Sequence, residues 1–148
     1  MAVGSDHAGF GLKKRVKEFL EAEGYDVLDV GVFSEQSADY PDMALLVAQH
    51  VSRRRAWRGI VVDGAGIGSA IVANKLPGVR AAPCHSVETA KSSREHNNAN
   101  VLALGARITS EADALEILRV WLGTEFAGGR HLRRVKKIDS IERRYLRA

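Results

Sequence analysis

Gly59-Ile60-Val61-Val62-Asp63-Gly64-Ala65-Gly66-Ile67-Gly68-Ser69 constrains this chain more than any other stretch. It reads as a buried strand that runs into glycines and then into a helix beginning near Ser69. Glycines let backbone N–H groups approach a ligand closely, and the positive end of the following helix favours negative charge. Asp63 closes the strand, at the position where open α/β sheets place their chemistry. A carboxylate beside an anion hole points to proton transfer, and the structural alternative is a side chain that hydrogen-bonds to the loop's own N–H groups.

Nucleotide motifs do not fit the spacing. A dinucleotide fingerprint requires G-x-G-x-x-G with an acid about 20 residues on, at the end of the next strand. Here Gly68 comes one residue early, and the next strand runs into Pro83-Cys84-His85 with no acid. No Gly-Lys-Ser or Gly-Lys-Thr completes a P-loop.

The rest of the chain alternates strands and helices. Strands are expected at Ala2-Val3-Gly4, Val27–Val30, Ile60–Val62, Val79–Ala82 and Val101–Leu104. A stripe of Leu12, Val16, Phe19 and Leu20 forms a first helix ending at Gly24. Pro41 starts a second, with Met43, Leu46, Val47 and Val51 on one face and Arg53-Arg54-Arg55 complementing its negative end. Further helices fall at about 66–75, 86–95 and 111–122, and Leu132, Val135, Ile138, Ile141 and Tyr145 mark a last one over about 131–146. Apolar strand runs without alternation imply a parallel sheet covered on both faces. The expectation is an α/β fold: one doubly wound Rossmann-like domain over residues 1–148, with about five parallel strands.

A chain of 148 residues buries enough surface to need no disulfide or metal staple. Cys84, the single cysteine, has no internal partner, and Met1 is not followed by an apolar leader, so a cytoplasmic setting is expected. No apolar run approaches the roughly 18 residues of a membrane span. The net charge of +4 is concentrated in residues 128–148, where Arg130, Arg133, Arg134, Lys136, Lys137, Arg143, Arg144 and Arg147 face only Asp139 and Glu142. Stacking aromatics for single-stranded nucleic acid are missing there apart from Tyr145, so a small phosphate or plain solvation suits the tail better. Arg130 and Arg134 are four apart on one helix face, a spacing that lets two guanidinium groups hold one phosphate.

Polar groups gather after the strands. Ser5-Asp6-His7 follows the first, the glycine loop the third, His85 the fourth, and all are expected on one rim. Asp6 has capping of the first helix as its structural alternative. Arg94-Glu95-His96-Asn97-Asn98-Ala99-Asn100 is too rich in His and Asn for a helix interior and is expected to face a ligand. His50 is expected at the surface, and Trp57 and Trp121 in packing. Neither a thiol nucleophile at Cys84 nor a metal site is supported, since no His-x-x-x-His pair or acidic cluster is present.

In order and spacing, several pieces together resemble the type-B ribose-5-phosphate isomerases and the galactose-6-phosphate isomerases. They are Ser-Asp-His-Ala-Gly at 5–9, Asp39-Tyr40-Pro41, Gly64-Ala65-Gly66-Ile67-Gly68 with Ala73-Asn74-Lys75, Arg94-Glu95-His96-Asn97, Asn100-Val101-Leu102 with Gly105-Ala106-Arg107, and Gly128-Gly129-Arg130-His131. The resemblance spans nearly the whole chain. It implies a homodimer or dimer of dimers without metal or cofactor, interconverting an aldose phosphate and a ketose phosphate through an enediol, with no nucleic-acid or membrane partner.

The resemblance also implies roles. His96 opens the furanose ring, Asn97 and Asp6 hold sugar hydroxyls with Ser69 nearby, and Tyr40 closes over the sugar. Backbone N–H groups from Gly64 to Gly68, those of Gly64, Gly66 and Gly68 foremost, stabilise the enediolate. Arg107, Arg130 and Arg134, with His7 or His131, bind the phosphate, some of them from the partner subunit. The family carries its enediol-forming base as a cysteine after the third strand or a glutamate later in the loop; here those positions read Asp63 and Ser69. Asp63 is therefore expected to be the base. A pentose phosphate is the expected substrate, with a tetrose or hexose phosphate, or a non-catalytic binding module of the same fold, as alternatives.

Overall fold

The computed structural model describes residues 1–146. Its strands are β1 (Ala2–Ser5), β2 (Leu28–Gly31), β3 (Gly59–Asp63), β4 (Ala81–Pro83) and β5 (Val101–Gly105). All pairings are parallel, in the order β2-β1-β3-β5-β4. Between and after them run α1 (Phe10–Ala22), α2 (Tyr40–Ser52), α3 (Ile67–Ala73), α4 (Val87–Glu95), α5 (Glu111–Gly123) and α6 (Gly129–Tyr145).

Every residue of β3 and β5 is buried, which is why these strands read as apolar runs rather than alternations. Successive side chains still go to opposite faces. Ile60, Val62, Leu102 and Leu104 meet Leu12, Val16 and Leu20 of α1 and Ile117, Leu118 and Trp121 of α5. Val61, Val101 and Ala103 meet Ala44, Val47 and Ala48 of α2 and Ala70 and Ala73 of α3. The chain leaves β1 toward β2 and leaves β3 toward β4, so the crevice beyond the carboxyl ends of β1 and β3 is the sheet's switch point.

Of the element ends that differ from expectation, three do so for identifiable reasons. α3 stops at Ala73 because the Asn74 amide turns to the edge strand, donating to the Ala81 carbonyl at 2.9 Å and accepting from the Ala81 N–H at 2.7 Å. β4 begins only at Ala81, since the Arg80 N–H is held by the Asn100 side chain at 2.8 Å. α6 begins at Gly129, two residues early, after Gly128 adopts φ +64°. Of the basic tail, Arg147 lies outside the described residues.

Candidate active site

At the carboxyl edge of the sheet, Asp63 organises the glycine loop. One carboxylate oxygen accepts from the N–H of Ala65 at 2.9 Å and from that of Gly66; the other accepts from the N–H of Ser69 at 3.0 Å and from its hydroxyl at 2.5 Å. Asp63 is only 4% exposed. These are the bonds of the structural alternative expected for Asp63, to the loop's own N–H groups: four donors occupy the carboxylate, and the loop folds around it. Gly66, at φ +78°, supplies the left-handed turn and rests on the backbone of Leu104 and Gly105.

Satisfying Asp63 decides which amides remain for a ligand. The Gly66 N–H, expected in the oxyanion hole, is turned inward. Among the described residues, the N–H groups of Gly64, Ile67 and Gly68 have no acceptor in the chain. Ile67 lies within the expected run of amides from Gly64 to Gly68.

Tyr40, at the start of α2, lies across this loop. A Cβ at Gly68 would sit 2.5 Å from Tyr40 Cε2, so the ring's position requires glycine there. Arg107 follows β5, its backbone N–H bonded to the Gly64 carbonyl at 2.9 Å and its side chain lying beside Gly64. Asp6 accepts from the Gly9 N–H at 2.9 Å, which closes the turn into α1, and its second oxygen receives no donor among the described residues. Nδ1 of His7 lies 3.2 Å from both the carbonyl and the N–H of Ala38, so it braces the loop that leads to Tyr40.

The other expected residues lie at the opposite edge. α4 runs antiparallel to the strands, and the turn after it enters the sheet at its amino edge, where the Gly59 N–H donates to the Asn100 carbonyl. His96 is the residue after α4, and its imidazole stacks on His131 of α6 with centroids 4.4 Å apart and planes 13° from parallel. His96 Nδ1 lies 3.2 Å from Ser92 Oγ. Burial, then His96, Arg130 and Arg134, push the His131 pKa below its usual value. Asn97, Arg130 and Arg134 are exposed around this pair. Asp63 pairs with Gly105 and Gly59 with Val101, so the two clusters are four strand residues apart, roughly 13 Å at about 3.3 Å per residue. Asp63 and His96 of one chain therefore do not meet, and the expected site residues fall into two clusters at opposite edges of the sheet.

The remaining side chains singled out in the sequence lie outside these two clusters. His85 is exposed at the end of edge strand β4, separated from the glycine loop by β5. Trp57 is 61% exposed and stacks on Tyr25, whereas Trp121 is in the core. His50 is half-buried, and its Nδ1 has no hydrogen-bond partner among the described residues. Cys84 is fully buried, and burial pushes its thiol pKa up, which suits packing rather than attack. Among the described residues no helix is long and apolar enough to cross a membrane, and no group of three metal-ligating side chains is present.

The model of the ribose/galactose isomerase family matches residues 1–138. The chain is 42% identical to ribose-5-phosphate isomerase B of Escherichia coli over 144 residues, covering 97% of each. It is similar to the solved ribose-5-phosphate isomerase B of Clostridium thermocellum, at 49% identity, TM-score 0.95 and 97% coverage of each chain. It is also similar to the Mycoplasma genitalium ribose-5-phosphate isomerase B solved with bound ribulose 5-phosphate, at 40% identity and TM-score 0.92, covering 96% of this chain and 95% of that one.

Proposed function

The chain belongs to the ribose/galactose isomerase family of sugar-phosphate isomerases, and from that premise we propose that it interconverts ribose 5-phosphate and ribulose 5-phosphate in sites shared between two copies. The observation that carries this reading is the division of chemistry between the two sheet edges. Groups that suit phosphate binding and ring opening stand at one edge, and groups that suit proton transfer at carbon stand at the other. A second copy completes each site by bringing its amino-edge cluster to this copy's glycine loop. Exposed Ile67 and Ile71 on α3, and Ile138, Ile141 and Tyr145 on α6, supply apolar surface for such a contact.

In this reading Arg130 and Arg134 hold the phosphate as charge-assisted donors. His96 moves a proton from the anomeric hydroxyl to the ring oxygen, which opens the furanose; an imidazole is suited to giving and taking protons near neutral pH. Asp63 then acts through Ser69. Ser69 is fully buried in the single chain, so the loop parts as the sugar enters, and the Ser69 oxygen takes the proton from C2 while its own hydroxyl proton passes along the 2.5 Å hydrogen bond to Asp63. The electrons left at C2 form the enediolate, whose oxygen receives the free N–H groups of Gly64, Ile67 and Gly68. Returning the proton to C1, with a proton passing from O2 to O1, yields the ketose. Tyr40 covers the loop, and Asp6, Asn97 and Arg107 hold the substrate.

Mixing tests the shared site. Ser69→Ala and His96→Ala homodimers should each be nearly inactive, while an equimolar exchanged mixture should regain about a quarter of wild-type activity, because each heterodimer holds one intact site. A mixture no more active than its components sinks the shared-site reading. Incubation of the wild type with C4, C5 and C6 sugar phosphates in deuterium oxide, followed by NMR, tests the chemistry. Deuterium at the carbon next to the carbonyl of the pentose phosphate is expected, and none in any sugar would leave only a binding protein.

A further inference from the structure

Arg94 is buried to 4% exposure and, among the described residues, makes no ion pair within 4 Å, although the Glu125 charge acts on it from farther away. Charges placed inside proteins are normally paired, because removing them from water is costly. Here the guanidinium is held by oxygens from two segments. Nη1 donates to the Asn98 side chain at 2.9 Å and to the Ala99 carbonyl at 2.6 Å, and Nε donates to the Thr124 carbonyl at 3.3 Å. Its guanidinium carbon lies 5.7 Å from the ring centroid of the fully buried Trp121, and that of Arg58 lies 5.1 Å from the same centroid. Two cations share one indole. Burial and the Arg94 charge together push the Arg58 pKa down to about 10, against the opposing pull of the Glu125 carboxylate, which also acts on Arg94.

What Arg94 joins is informative. Asn98 and Ala99 directly follow His96 and Asn97, and Asn98 adopts φ +48°, a left-handed conformation that Asn tolerates better than most residues. Thr124 opens the link from α5 to α6, whose first turns carry Arg130, His131 and Arg134. A backbone bond from the Ala127 N–H to the Glu95 carbonyl at 3.0 Å runs alongside. Arg94 thus ties the segment bearing the ring-opening imidazole to the segment bearing the phosphate-binding guanidinium groups, and touches neither set of functional atoms itself. The planar fork is needed for this. A lysine keeps the charge but has no rigid array of donors for three separated acceptors.

We propose that Arg94 is a positioning residue for ring opening: it sets His96 against the phosphate clamp so that a cyclic sugar phosphate is held with its ring oxygen at the imidazole. The proposal rests on the role given to His96 above. It separates two reactions of one enzyme. Turnover of the cyclic aldose phosphate needs ring opening, whereas solvent-proton exchange into the acyclic ketose phosphate needs only the glycine loop and a bound phosphate.

The test uses Arg94→Lys and, as a milder second variant, Asn98→Gly, which removes one acceptor while suiting the positive φ. Thermal unfolding confirms folding of each. At saturating substrate, kcat for ribose 5-phosphate should fall at least about tenfold in Arg94→Lys and less in Asn98→Gly, while the saturated rate of deuterium exchange into ribulose 5-phosphate stays within about threefold of wild type. Folded variants with unchanged aldose turnover overturn the proposal. So does a parallel loss of turnover and exchange, which marks a merely structural role. His96→Ala is the control for the underlying reading: if it leaves aldose turnover intact, the ring-opening assignment fails, whatever the Arg94 variants do.

Discussion

Replacing Asp63 with Asn keeps the shape of the loop's central side chain and removes its charge and half its acceptor capacity. In the native loop two oxygens serve four donors. The amide offers one oxygen, so whichever way it is turned, one pair of donors faces an NH2 group. With the oxygen toward Ala65 and Gly66, the Ser69 hydroxyl can rotate to accept from the amide, but the Ser69 N–H is left without an acceptor. An unsatisfied buried donor costs about 1–3 kcal/mol, and the remaining bonds lose their charge assistance. A net loss of about 2–4 kcal/mol follows. At about 2–4 °C per kcal/mol for a chain of this size, Tm should fall by roughly 5–15 °C. Because Ser69 also loses its proton acceptor, saturated deuterium exchange into ribulose 5-phosphate should fall by about 10²- to 10⁴-fold. Differential scanning calorimetry and exchange NMR on the same preparation read both quantities. An Asp63→Asn protein with Tm within 2 °C of wild type, on the scale of about 1 kcal/mol or less, would refute the carboxylate's structural place. One with near-normal exchange would remove it from the proton path.

Gly68→Ala should separate stability from activity: alanine favours the helix by about 1 kcal/mol, yet its Cβ meets Tyr40, so KM should rise without a drop in Tm. Unchanged kinetics would show that the Tyr40 position is immaterial. Arg130→Ala and Arg134→Ala should each lower kcat/KM for a sugar phosphate by roughly 10- to 150-fold, matching about 1.5–3 kcal/mol for a charged hydrogen bond, and wild-type values in either would remove that residue from the clamp. His131 gives a pH dependence. Its folded pKa lies below the unfolded value near 6.5, so the unfolded chain binds more protons and stability is lost as pH falls below about 6.5. Tm of the wild type between pH 8 and pH 5 should therefore fall more than that of His131→Gln, and parallel curves would contradict the coupling.

Much of the molecule follows from local pattern. The buried runs at 60–62 and 101–104 require a sheet covered on both sides, and helix periodicity between them makes that sheet parallel, because each such connection returns the chain to the same edge. The glycines at 64, 66 and 68, the basic last helix and the order of the polar motifs were equally open to reading, since each is a property of neighbouring residues. The edge at which His96 stands was also implicit: a segment between a helix and the next parallel strand must lie at the amino edge, whereas one that follows a strand lies at the carboxyl edge. That rule divides Asp6, Asp63 and Arg107 from His96 and Asn97 before any coordinates are known. Tertiary structure alone decided the state of Asp63, whose carboxylate is drawn into the loop because a buried charge seeks every donor within reach and four stand there. It alone decided that His131 would stack on His96 and that Arg94 would bind Asn98, Ala99 and Thr124, for these contacts depend on how α4, α5 and α6 pack together, and packing joins residues whose spacing along the chain carries no record of the encounter.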